Sequence, residues 1–403
     1  MITVHLKPHK EESLLRFHPW VFSGAIRSIQ LDKDYPYNQP QEGEVVQVVD
    51  SNGTILGVGH YQIGSIAVRM LAFGVDTLPP TFWQERIAAA YQLRQQLSLI
   101  RPDNNTYRLI HGEGDGLPGL IVDVYADTAV VQAHSVGMHC SRETIAQAIV
   151  ENVPQVTKVY YKSDDTLPHK APISGERVGY LIGEENADFN GDFWAKENGL
   201  EFRIDWLRGQ KTGFFIDQRD NRALLEHYAQ GRDVLNMFCY TGGFSVYALR
   251  GGANKVHSVD VSQKAIDLVK SNVEKNFGKT PQHEAFAQEA FAYMANMQDK
   301  YDLIVLDPPA FAKHRDAIKN ALRGYQRLNA RGIQCIRPGG ILFTFSCSQA
   351  IDKEMFRLAV FSAAAQVGRR VRILHQLHQP ADHPINIYHP EGEYLKGLVL
   401  QVE

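Results

Sequence analysis

From about Phe193 onward, runs of strand character alternate with runs of helical character. This alternation constrains the fold of the 403-residue chain more than any other feature. Asp233 to Phe238, Lys255 to Asp260, Tyr301 to Asp307 and Gly340 to Phe345 read as strands. Helical patterns over 243–250, 262–277, 316–336 and 352–366 follow them in turn. Such alternation implies βαβ crossovers and therefore a parallel, doubly wound sheet. Runs such as Gly340-Ile-Leu-Phe-Thr-Phe345 are short and nearly all apolar, as strands buried on both faces are. Residues 371–403 read as two more strands joined by a long loop.

The rest of the chain differs. The first ~75 residues hold β-rich runs at Glu44–Asp50, Thr54–Tyr61 and Ser65–Leu71, punctuated by Gly, as in a small barrel. Pro79-Pro80 breaks the chain, and a helix is expected over 81–99 with Thr81 as its cap. Between Tyr107 and Gly191 the pattern is mixed: strands at 120–125, 129–133 and 156–161, a helix near 138–151, and a polar linker at 183–191. Three domains are expected: a barrel over 1–75, a central α+β domain over 76–190 and an α/β domain over 191–403.

Composition excludes several classes. With 44% hydrophobic and 22% charged residues the chain is globular, neither disordered nor collagenous. No start-proximal apolar core suggests a signal peptide, and no run approaches the ~18–20 residues of a membrane span. The four cysteines, Cys140, Cys239, Cys335 and Cys347, show no CxxC pairing. Neither a metal site nor a disulfide framework is expected, and the cytoplasm is the expected compartment. A net charge of −3 argues against broad nucleic-acid binding, so any such contact must be local.

Ligands of open α/β sheets bind at the carboxyl ends of the strands. Three features fall there. Asn236-Met-Phe-Cys-Tyr-Thr-Gly-Gly243 is a turn whose glycines permit close approach of backbone to ligand. Asp260 ends the next strand, where a carboxylate can accept hydrogen bonds from both ribose hydroxyls. Asp307-Pro-Pro-Ala-Phe311 ends the fourth. The first loop lacks the GxGxxG pattern, which disfavours NAD and favours S-adenosylmethionine. Gly242-Gly243 alone could be a plain turn, and Asp260 alone a helix cap; the ordered set of three carries the reading.

Cys347, in Ser346-Cys-Ser348, follows a strand on the same sheet edge as Asp307. Cys239 and Cys335 have apolar neighbours and read as packing residues. A thiol at Cys347 suits methylation of a pyrimidine carbon. Carbon 5 is a poor nucleophile until a thiolate adds to carbon 6 and makes it enamine-like. For cytosine, a carboxyl such as that of Asp307, its pKa raised, could protonate N3. The base that removes the carbon 5 proton is not identified by the sequence.

Gly209-Gln-Lys-Thr-Gly-Phe-Phe-Ile-Asp-Gln-Arg-Asp-Asn-Arg222, Asn236–Gly243, Asp307–Phe311 and Ser346–Ser348 together resemble the bacterial class I methyltransferases that form 5-methylcytidine in 23S ribosomal RNA. Phe17-His-Pro-Trp-Val-Phe-Ser-Gly24 and Gly57–Tyr61 are similar to that family's RNA-binding PUA domain, and His111–Gly119 to its central domain. The resemblance implies a Rossmann-like fold and S-adenosylmethionine against Phe238, Tyr240, Thr241, Gly242 and Gly243, in the loop opened by Asn236. It implies Asp260 at the ribose, Glu289 near the adenine amine where the family more often has Asp, and Lys211, Thr212 and Phe214 beside the methionine part, with Gln218 and Arg219 nearby. The fourth-strand motif carries no Cys, so Cys347 is the attacking thiol, with Asp307 as its catalytic partner.

RNA contact is expected at Lys7, Lys10 and Arg16, which cluster with Phe17, His18 and Trp20, and at Lys313, His314 and Arg315. The target base would leave its stack to reach the thiol. Three other readings stay open: methylation of a base nitrogen positioned by Asp307-Pro-Pro, a uracil carbon 5 target, and a ribosome-assembly factor that only senses the cofactor. Oligomeric state is left open, a homodimer being one option.

Overall fold

The computed structural model describes residues 1–168, 174–184, 193–312 and 315–403. The linker residues 185–191, and Lys313 and His314, lie outside the described residues, as does the Arg315 side chain. The chain forms two compact units. One comprises Met1–Gly191, Asp205–Gly213 and Ala381–Gly392; the other comprises Asp192–Ile204, Phe214–Pro380 and Glu393–Glu403.

The first unit opens with a six-stranded sheet in the order Trp20–Phe22, Ile66–Phe73, Ile55–Tyr61, Val45–Val49, Thr3–Leu6, Ile26–Gln30. Alternate residues Val4, Leu6, Val46, Val48, Val68 and Met70 fill its core. Two strands approach too closely at Gly57 and Gly59 for any side chain: a Cβ there would sit 2.1 Å from the Ala72 carbonyl oxygen and 2.3 Å from that of Arg69. A five-stranded sheet follows, ordered Val178–Ile182, Lys158–Lys162, Thr128–Ala133, Leu120–Tyr125, Thr106–His111. Helices Phe82–Gln96 and Arg142–Asn152 cover it through Ile87, Ala90, Ile145 and Ile149. The helix expected near 138–151 is two helices, Val136–Cys140 and Arg142–Asn152. Gly137 in the first is packed against the His60 ring, where a Cβ would meet Cγ at 2.1 Å. Thr81 does not cap the backbone as expected; its hydroxyl donates to Glu85 Oε1 at 2.7 Å.

The second unit carries a seven-stranded sheet: β1 (Asp233–Met237), β2 (Lys255–Asp260), β3 (His283–Ala287), β4 (Leu303–Leu306), β5 (Gly340–Ser346), β6 (Val371–Leu377) and β7 (Lys396–Val402). Its order is β3-β2-β1-β4-β5-β7-β6. The first five are parallel, and β7 inserts antiparallel between β5 and β6. Helices α1 (Arg219–Ala229), α2 (Gly243–Arg250), α3 (Gln263–Phe277), α4 (Ala290–Met294), α5 (Ile318–Cys335) and α6 (Lys353–Val367) accompany it. The central strands are buried on both faces, as their largely apolar sequences require. A hairpin, Phe193–Glu197 with Leu200–Ile204, turns through Asn198 and Gly199, both left-handed (φ 49° and 81°). Among the described residues no helix is long and apolar enough to cross a membrane.

Candidate active site

Strand register fixes which side chains share the sheet edge. Met237 pairs with Val259 and with Leu306, Leu306 with Thr344, and Ser346 with Lys396. The segments that follow β1, β2, β4 and β5 therefore emerge side by side, bringing the Phe238–Gly243 loop, Asp260, Asp307 and Cys347 to one edge. The order reverses direction between β1 and β4, where doubly wound folds bind ligands.

The loop after β1 is shaped for close approach. Phe238, Tyr240 and Gly242 all have left-handed backbone (φ 58°, 46° and 79°). A Cβ on Gly242 would sit 2.9 Å from Val269, and one on Gly243 would sit 2.8 Å from Arg222 Cδ. Both glycines thus make room for neighbouring elements, and Gly243 opens α2. Asp260 braces the loop: Oδ2 accepts from the Tyr240 N–H at 3.0 Å and Oδ1 from the Ser262 N–H at 2.9 Å. Each oxygen keeps a lone pair. Asn236 donates to Ser245 Oγ at 2.9 Å, while its own Oδ1 is buried with no hydrogen-bond partner among the described residues. The Thr241 carbonyl accepts from Asn272 at 2.8 Å. Glu289 caps α4, with Oε2 accepting from the Ala292 N–H at 2.8 Å.

The Gly209–Arg222 segment is divided between the units. Lys211 and Thr212 belong to the first, where the Thr212 hydroxyl donates to Asp123 Oδ2 at 2.6 Å and meets the Tyr125 hydroxyl at 2.9 Å. Phe214, Gln218 and Arg219 belong to the second. Phe214 packs on Phe202 and under the Arg222 guanidinium, 4.8 Å from its ring. Neither Arg219 nor Arg222 is solvated. Both sit against the buried Glu197 carboxylate, Arg222 with two hydrogen bonds of 2.9 and 2.7 Å and Arg219 at 3.7 Å. The Tyr247 hydroxyl donates to the same carboxylate.

Gln218 reaches the chemistry directly, donating to Asp307 Oδ2 at 3.1 Å. Burial, reinforced by the Asp217 charge, pushes the Asp307 carboxyl up to about 7. The Cys347 thiol is pushed up to about 12 by burial and by the Asp307 and Asp217 charges, with Lys396 opposing them. Cys347, Asp307, Asp217 and Lys396 therefore form one electrostatic cluster. The loop that carries the thiol is pinned from below. Ser346 donates to the Tyr325 hydroxyl at 2.9 Å, that hydroxyl and Ser348 Oγ lie 2.9 Å apart, and Phe311 of the fourth-strand motif packs on the Tyr325 ring (centroids 4.6 Å apart). Cys239 and Cys335 are buried and Cys140 is exposed.

Four residues here escaped sequence reasoning: Asp217, Tyr325, Tyr394 and Lys396. Asp217 lay inside a quoted motif, and Tyr394 holds it, donating to Oδ2 at 2.7 Å. Tyr325 carried no signal, because a Tyr on the apolar stripe of α5 reads as core.

The expected RNA-facing residues are partly engaged. Lys7 donates to the Gly24 carbonyl at 2.7 Å, and Trp20 donates to Glu113 at 2.9 Å and packs on His389. Phe17 stays exposed. Lys10 and Trp20 help line a cavity of about 390 Å³ with Leu14 and Val21. On α5, Lys319, Arg323 and Arg327 are exposed at successive i,i+4 positions, and no ion pair forms with them among the described residues.

Comparison with known proteins places the chain in a family. Residues 179–390 match the model of the S-adenosylmethionine-dependent methyltransferases, and residues 4–73 that of the PUA-like domain. Ribosomal RNA large subunit methyltransferase I of Tolumonas auensis is 40% identical, covering 99% of both chains. Its Aeromonas hydrophila counterpart is 38% identical over 99% of both. A Streptococcus mutans protein assigned as a SAM-dependent methyltransferase has the same fold, with a TM-score of 0.82 at 23% identity and full coverage of both chains. The chain therefore belongs to the S-adenosylmethionine-dependent methyltransferases, in the family of the ribosomal RNA large subunit methyltransferases I, with a PUA-like domain at its N-terminal end and S-adenosylmethionine as its cofactor.

Proposed function

We propose that this protein methylates carbon 5 of a cytidine in 23S ribosomal RNA, in the cytoplasm, through a covalent adduct between Cys347 and carbon 6. One observation carries the reading: a half-buried thiol and a buried carboxyl pushed up to about 7 sit in one cluster at the ligand-binding edge of the sheet. Methylation of a nitrogen needs no thiol there. The RNA substrate is what the relatives' names give, and the exposed Lys319–Arg323–Arg327 row on α5, which forms no ion pair among the described residues and has Arg327 stacked over Phe291, offers it a phosphate-binding face.

The residues present fit the cofactor. The buried, unpartnered Asn236 Oδ1 is an acceptor awaiting a donor. The left-handed backbone at Phe238, Tyr240 and Gly242 turns the chain sharply at the carboxyl end of β1, where ligands of such sheets bind. We assign Phe238–Gly243 to the cofactor's body, Asp260 to the ribose hydroxyls, and Glu289 to the adenine amine through the oxygen that does not cap α4. Lys211, Thr212, Phe214, Gln218 and Arg219 are assigned to the methionine side. Bound there, S-adenosylmethionine supplies a methyl group made electrophilic by its sulfonium.

Two roles follow for the chain's own side chains. Cys347 adds to carbon 6 and makes carbon 5 nucleophilic. Asp307, close to half protonated at neutral pH, donates its proton to N3 as the adduct forms, oriented by the Gln218 amide. Both are held by the rigid Tyr325 support, which fixes the thiol loop to the DPP loop. Nuclease digestion of ribosomal RNA methylated by the purified protein is expected to yield 5-methylcytidine by mass spectrometry. An N-methylated nucleoside would instead support nitrogen chemistry, and 5-methyluridine a uracil target.

A further inference from the structure

We propose that Lys396 is the counter-charge of the Cys347 thiolate, holding the sulfur's negative charge whenever the thiolate forms or is expelled. The assignment rests on Cys347 being the nucleophile. Lys396 opens β7 and is the register partner of Ser346, the residue before the thiol. The residue is only 4% exposed. The ammonium donates to the Ser348 carbonyl at 2.7 Å, the one acceptor it has among the described residues. An ammonium has three donors, and among the described residues only one of them meets a protein acceptor. A buried charge so poorly satisfied is costly, and a neutral amide could pin the Ser348 carbonyl without that cost. The arrangement makes sense once a negative charge forms beside it.

The surrounding charges say where. The thiol faces two carboxylates, Asp307 and Asp217, both of which oppose its ionisation, and the Tyr325 hydroxyl lies against the same loop. Lys396 is the cation that favours it. Around Lys396 itself stand Cys347, Glu393, Asp352 and Lys353, and Lys353 is already paired with Glu393. Burial lowers the ammonium to about 8, which leaves it mostly charged at neutral pH.

The step balances as follows. The S–H bond breaks and its proton passes to Asp217, whose Oδ1 is buried and has no hydrogen-bond partner among the described residues. The sulfur pair forms the bond to carbon 6 while Asp307 protonates N3. After carbon 5 has taken the methyl group, its proton is lost to water, the C5–H pair re-forms the C5=C6 bond, and the C6–S pair leaves on sulfur. The expelled thiolate meets Lys396 again and recovers its proton from Asp217, and the N3 proton returns to Asp307. Lys396 keeps all three protons, and the carbon 5 proton is the one released.

The test is the pH dependence of Cys347 alkylation by iodoacetamide on the full-length protein, read by peptide mass spectrometry so that the other thiols do not interfere. Below a thiol's pKa its alkylation rate follows the thiolate fraction, and one unit of pKa is a tenfold change. Lys396→Met is expected to alkylate at least about ten-fold more slowly than wild type at pH 9. Its kcat should fall about 100-fold with the cofactor KM nearly unchanged. Lys396→Arg, which keeps the cation, should alkylate within about three-fold of wild type. A Lys396→Met profile superimposable on wild type overturns the proposal. So does an Arg variant that is folded by circular dichroism yet as unreactive as the Met variant, which would make Lys396 a structural peg. Alkylation reads the Lys396–Cys347 pair without RNA, whereas full methylation by Cys347→Ala would sink the nucleophile assignment itself.

Discussion

Replacing Cys347 with Ala is expected to lower methyl transfer by about four powers of ten or more, the scale on which enzymes lose rate when a covalent nucleophile is removed. The thiol is half-buried and packs against the Phe345 cluster without any structural bond. Its removal deletes one sulfur atom from a loop that is held by Ser346, Ser348 and Tyr325 instead. The fold and the cofactor affinity should therefore change little, and equilibrium binding of S-adenosylmethionine should stay within a few-fold of wild type. The loss should fall on kcat. Binding of S-adenosylmethionine by isothermal titration, measured beside single-turnover methylation of ribosomal RNA, separates the two. A variant that binds the cofactor and still methylates at a tenth of the wild-type rate would show that the thiol is incidental.

Glu197→Gln is expected to destabilise the second unit by about 3–5 kcal/mol, the cost of breaking a buried ion pair from one side. Glu197 is fully buried, and its carboxylate neutralises Arg222 and lies beside Arg219. The amide would be nearly isosteric but uncharged, leaving two buried guanidinium groups facing each other. The damage would extend to the site, because Arg222 packs against Gly243 at the start of α2 and donates to the Phe215 carbonyl at 2.9 Å. Urea unfolding, with methylation measured on the fraction still folded, checks both effects. A midpoint within experimental error of wild type would mean that the carboxylate is not what holds these arginines.

These two residues mark what the sequence could reveal. Strands β4 and β5 are readable as nearly all-apolar runs buried on both faces, β1 and β2 as shorter β-branched runs between turn signals, and the loops after them follow from the topology. That placed Asp260, Asp307 and Cys347 on one edge before any coordinates. Strand β3 was not readable: His283-Glu-Ala-Phe-Ala287 is an edge strand, half exposed, with no apolar run. The Glu197 hairpin announces itself only through the turn signal Asn198-Gly199. Its carboxylate matters only because Arg219 and Arg222, distant in sequence, fold against it. Lys396 was hidden for a similar reason. A lysine opening a strand looks solvated, and only the antiparallel insertion of β7 beside β5 buries it next to the thiol. Charges that act through tertiary pairing leave no periodic trace in the chain.

The central claim is that Cys347 bonds to carbon 6 of a cytidine before the methyl group moves. The most direct measurement uses ribosomal RNA transcribed with 5-fluorocytidine, incubated with the protein and S-adenosylmethionine. Carbon 5 of such a base carries fluorine, which cannot leave as a cation, so the last step of the sequence is blocked. A denaturant-resistant protein–RNA complex is expected, with the crosslinked peptide containing Cys347 and with no complex from Cys347→Ala. Turnover of the fluorinated RNA without any trapped complex, or trapping that persists in Cys347→Ala, would contradict the account.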